Sequence, residues 1–106
     1  MRKQLGALVE QSLSRAAAIW VGYGTRPSPK RDDQAVRTAF EPSLAEELLV
    51  QLKLAEQDFY RSDAWSKAKD LQEMARLART DFASLRPEAP AELSEVFAWC
   101  YTYDYK

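Results

Sequence analysis

Histidine is absent from the chain, and cysteine occurs once, at Cys100. The first absence removes the commonest general base and metal ligand. Serine- or cysteine-based triads that use histidine cannot be assembled, and the usual Cys/His zinc sites are excluded. One cysteine forbids an intrachain disulfide, so Cys100 reads as a small buried hydrophobe in a reducing compartment. Glycine is also scarce, with three copies. No glycine-rich phosphate loop is present: "VGYGT" carries G-x-G but lacks the third glycine, a lysine and a preceding strand.

Charge of one sign is missing too. Fifteen Lys and Arg face sixteen Asp and Glu, a net charge of −1. No large field steers such a chain onto nucleic acid or an anionic membrane. The opening segment "MRKQLGALVEQSLSRAAAIWVG" has the basic start of a secretion signal, but Glu10, Gln11 and Arg15 interrupt its apolar stretch. No run approaches the roughly 20 apolar residues of a membrane span. The expectation is a cytoplasmic protein with no membrane association. Neighbouring acidic pairs, such as Glu46 with Glu47 and Glu56 with Asp58, do not share a helix face. No catalytic, metal or cofactor site is nominated, and an enzyme is not expected.

What is present points to helix. Alanine, leucine, glutamate, lysine and arginine dominate the middle of the chain. Leu5, Leu8, Val9, Leu13, Ala16, Trp20 and Tyr23 fall on one helical stripe, with Gly22 and Gly24 placed to end it. "GTRPSPKRDD" reads as a loop over 24–32, and "DDQAVRTAFE" as a short helix capped by Asp32 or Asp33. Ser43 and Glu46 have capping-box spacing, and Pro42 offers an alternative first helical position. Leu44, Leu48, Leu52, Ala55 and Phe59 follow as a stripe, with Val50 and Leu54 on the other side. That helix is either central or two-sided, with its second face offered to another subunit. A break at "RSD" precedes a stripe of Ala64, Ala68, Leu71, Ala75, Ala78 and Phe82. The alternative is one unbroken helix over 44–85, roughly 60 Å long at 1.5 Å per residue, which would imply dimerisation.

The chain closes on "FAWCYTYDYK", with Phe97, Trp99, Tyr101, Tyr103 and Tyr105 at every second position. Leu93, Val96, Phe97 and Cys100 suit a helix ending near Tyr101. Beyond it, poor helix formers with period two predict an extended segment, either a lid on the core, a docking strip or disordered. The whole is expected to be one all-α domain over 1–106. It is a compact bundle of about four helices, with a fifth short one allowed and an extended aromatic tail at 101–106.

The leading functional expectation is a small non-enzymatic protein-interaction module: an adaptor, an immunity-type inhibitor or an assembly factor. Its partner is another protein or a second copy. The candidate contact residues are Val50, Leu54, Trp99, Tyr101, Tyr103 and Tyr105, since exposed aromatics favour interfaces. A second reading is a small-molecule-binding or regulatory domain with a pocket lined by Trp20, Trp65 and Trp99. A third is nucleic-acid contact through Arg26, Lys30, Arg31 and Arg37; Asp32 and Asp33 cancel half of that charge and disfavour it.

Overall fold

The computed structural model describes residues 2–106, with side chains from residue 6 onward, so the expected placement of Leu5 lies outside the described side chains. Six helical segments run in order: α1 (Arg2–Val21), α2 (Asp33–Ala39), α3 (Pro42–Phe59), α4 (Ala64–Lys67), α5 (Leu71–Leu85) and α6 (Ala91–Tyr105). Among the described residues there is no strand. The architecture is all-α, with four long helices and two short ones. Its radius of gyration, 13.8 Å, is that of a compact globule. No described helix is long and apolar enough to cross a membrane.

Gly22 ends α1 at φ 78°, a left-handed conformation that glycine adopts without strain. The Arg26 side chain lies directly over it: a Cβ at Gly22 would sit 2.4 Å from Arg26 Cδ. The loop then returns to the helix it left. Lys30 N–H donates to the Val21 carbonyl at 3.2 Å, and Asp32 N–H to the Trp20 carbonyl at 2.8 Å. Two carbonyls that a helix end leaves without internal partners are thereby satisfied. Asp32 caps α2 through Ala35 N–H. Pro42 takes the first turn of α3, whose cap is Glu41, bonded to the Ser43 and Leu44 amides. Glu46 is drawn away from a capping box by Arg37.

A continuous helix over 44–85 does not form. Ser62 Oγ accepts from Ala64 N–H and donates to Asp81 Oδ2 at 2.6 Å, which fixes the turn after α3. A second break follows at Ala68, whose backbone is extended. Asp70 then caps α5 through Glu73 N–H, while Glu73 reaches back to Lys69 N–H. This pair has capping-box spacing, a signal in the sequence that the alanine stripe concealed.

α5 runs antiparallel to α3, with Asp81 meeting Ser62, Phe82 meeting Phe59 and Arg86 meeting Asp58. Phe59 is the centre of the core. Its ring lies 5.1 Å from Phe82, 5.9 Å from Phe97 and 5.8 Å from Tyr101. Ala16, Ala17, Trp20 and Val21 close the core from α1.

The expected extended tail at 101–106 is corrected by α6, which stays helical to Tyr105. A strand needs a neighbour to pair its backbone, and none exists among the described residues; a helix pairs its own. Thr102 Oγ1 bonds the Ala98 carbonyl at 2.9 Å within that helix. Alternate residues on a helix stand about 200° apart. The single ladder therefore splits into two ridges: Phe97, Tyr101 and Tyr105 on one side, Trp99 and Tyr103 on the other.

Candidate functional site

α3 and α6 finish at the same end of the molecule, where the loop after α1 also returns. Arg31 joins the three elements. Its Nε donates to Glu56 Oε2 at 2.7 Å, and its Nη2 to the Tyr60 hydroxyl at 2.9 Å and Asp104 Oδ2 at 3.4 Å. Tyr60 in turn donates to Asp104 Oδ2 at 2.5 Å. Burial alone would lower the Arg31 pKa, but the Glu56 hydrogen bond and charge outweigh it, and the guanidinium is held firmly cationic. Burial, helped by the bond to Asp104, pushes the Tyr60 phenol up. Asp104 sits in the last turn of α6, where the helix dipole disfavours a carboxylate. Arg31 supplies the compensating charge.

Beside this cluster the first ridge of α6 meets α4. Tyr101 is 0% exposed, so its ring offers no surface to a partner, contrary to the expectation for that residue. Its hydroxyl donates to the Ser62 carbonyl at 2.7 Å and accepts from Trp65 N–H at 3.1 Å. The phenol is thus satisfied as donor and acceptor, and burial raises its pKa. One turn further on, Tyr105 lies 4.7 Å from Tyr101, and Trp65 stacks on it at 5.7 Å and 15°. Trp65 is 53% exposed and Tyr105 40%. These outer rings form a platform on a buried aromatic base, which Tyr60 completes at 5.3 Å from Tyr101.

On the second ridge Trp99 is half-buried against Tyr23, edge-on at 5.4 Å. Tyr103 is exposed, with Lys106 Nζ 4.2 Å above its ring. Val50 and Leu54 are exposed one turn apart on the outer side of α3. The three tryptophans do not share a pocket. Trp20 is buried and donates to Asp33 Oδ1, Trp99 packs on Tyr23, and Trp65 faces outward. Sequence reasoning missed Trp65 as a surface residue. The signal was its position off the Ala64–Ala68 stripe.

The four basic residues near the loop are not a free cationic patch. Arg26 pairs with Asp32 at 3.6 Å, Arg37 grips both oxygens of Glu46, and Arg31 is held as described. Lys30 is exposed and makes no ion pair among the described residues. Glu46, Glu56 and Asp104 lie far from the loop in sequence, which is why their neutralising role was not legible there. Cys100 is buried, and burial pushes its thiol up to about 12 despite the nearby Arg31 charge. It is not a nucleophile at neutral pH.

Comparison of the chain with protein-family models, curated proteins and solved structures found no match.

Proposed function

We propose that this chain is a small non-enzymatic protein-interaction module that seats a protein partner on the aromatic end, with Trp65 and Tyr105 as central contacts and Tyr103 beside them. The observation that carries this reading is the half-exposed Trp65 stacked on Tyr105. A large apolar ring held rigidly at the surface loses little conformational freedom on binding, which is why tryptophan and tyrosine dominate interface energetics. The platform rests on the buried Tyr101, so its geometry is set before a partner arrives. Val50 and Leu54 offer a smaller second contact on α3. An adaptor, an immunity-type inhibitor and an assembly factor all work this way. A reducing compartment such as the cytoplasm suits the free thiol at Cys100.

The test is site-specific photo-crosslinking in the native host, with the cross-linking residue at position 65 and, as control, at the exposed Gln72. The reading expects a discrete protein adduct from 65 that is absent from 72. Equal or absent labelling at the two positions contradicts it.

A further inference from the structure

A second charge arrangement lies away from the aromatic end, in the groove between α5 and the start of α6. The groove is open to solvent, with a volume of about 460 Å³, and Arg76, Arg79 and Arg86 border it. That volume lies within the range of small-ligand sites. Its accessible apolar lining comes from Ala83, Pro87 and Ala89, with Phe82 buried beneath them. A second depression of about 280 Å³ adjoins it and shares Arg76 and Arg79.

The three guanidinium groups differ in what already holds them. Arg86 donates to Asp58 Oδ2 at 2.7 Å and is committed to the core edge. Arg76 reaches Glu73 only at 3.9 Å. Arg79 is half-buried, yet no carboxylate lies within 4 Å of it among the described residues. A partly desolvated cation without a counter-ion favours binding an anion over remaining alone. The hydroxyls lining the groove also differ. Thr80 Oγ1 donates inward to the Arg76 carbonyl at 2.9 Å, whereas the Ser94 hydroxyl makes no hydrogen bond among the described residues and can donate to a ligand; the Ser94 amide is taken up by the Pro90 carbonyl.

The negative groups nearby set the class of anion. Glu95 borders the groove and Glu73 the adjoining depression. They oppose a multiply charged ligand such as a nucleotide, while one carboxylate is matched by the planar fork of Arg79. We propose that this groove binds a small monocarboxylate with a short apolar body, its carboxylate on Arg79 and Ser94 and its body over Ala83, Pro87 and Ala89. This site is independent of the aromatic end, and either proposal stands if the other fails.

The test follows the arginine Nε–H and backbone amide resonances of the full chain by proton–nitrogen NMR. Sodium hexanoate, hexanol and inorganic phosphate are titrated separately. Hexanoate is expected to shift the Arg79 Nε–H and the Ser94 amide saturably, with little effect from the other two. Arg79→Gln is expected to weaken hexanoate binding about tenfold or more, the loss of one charge-assisted hydrogen bond. Arg76→Gln, at an exposed position, is the second variant should Arg79→Gln not fold, and it too is expected to weaken binding. No saturable shift, an equal response to hexanol, an equal response to phosphate, or unchanged affinity in the folded variants would each overturn the proposal.

Discussion

The Tyr101 hydroxyl donates to the carbonyl of Ser62, 39 positions earlier in the chain, at 2.7 Å. Through this bond and the one it accepts from Trp65 N–H, α6 holds the turn between α3 and α4 in place. Tyr101→Phe keeps the ring and removes the hydroxyl, leaving a buried carbonyl and an amide without partners. The expected loss is about 1–3 kcal/mol, or roughly 4–8 °C in Tm for each kcal/mol in a domain of this size. Tyr103→Phe, at an exposed ring, is the control and is expected to change Tm negligibly. Urea unfolding of both variants checks this.

Truncation separates the two roles of the C-terminal residues. Ending the chain after Cys100 deletes the fully buried Tyr101 and is expected to abolish cooperative folding. Ending it after Thr102 keeps Tyr101 but removes Tyr105 and Asp104. That form is expected to fold with reduced stability, because Arg31 and Tyr60 lose a carboxylate partner. Circular dichroism melts distinguish the two.

Alkaline pH should destabilise the protein. Burial raises the Cys100 thiol from 9.0 to about 12 and raises the Tyr60 and Tyr101 phenols as well. The native state then holds these protons more tightly than the unfolded chain does. Their contribution is fully present below about pH 9 and is lost as pH rises toward about 12. Urea midpoints measured near pH 7, 9 and 11 are expected to fall only over the upper interval. Iodoacetamide labelling of Cys100 is expected to be slow and to track global unfolding.

The two left-handed glycines offer a paired test. Gly24→Ala meets open space and carries only backbone strain, about 1–2 kcal/mol. Gly22→Ala adds a collision with Arg26 Cδ and Cγ. It is expected to cost more than Gly24→Ala, and Arg26→Ala in the same chain should recover part of the difference, measured as a double-mutant cycle.

Trp65→Phe is expected to remove the red-shifted, quencher-accessible part of the tryptophan emission, because Trp20 is buried and Trp99 half-buried. The change in stability is expected to stay below about 1.5 kcal/mol, the size of one aromatic pair. Acrylamide quenching with a parallel urea melt reads both.

Much of the helical core was legible from periodicity. Leu48, Leu52, Ala55 and Phe59 repeat at helical spacing and are buried, and the cap at Asp32 lies where its side-chain chemistry placed it. The fate of the aromatic tail was not. Period two in polar-flanked aromatics is the pattern of a strand, and only the lack of a partner strand, a property of the whole fold, makes helix the better solution. The Arg31 cluster was hidden for a similar reason, since its three acceptors come from α3, the residue that follows it and the end of α6. Leu8, read as part of the α1 stripe, is 46% exposed.

Amide hydrogen exchange across Phe97 to Tyr105, resolved by residue, tests the central feature most directly. The two-ridge helix predicts that the Tyr101 and Thr102 amides exchange nearly as slowly as those of Phe59 and Phe97, with protection declining only over the last turn. Random-coil exchange rates from Tyr101 onward would contradict it.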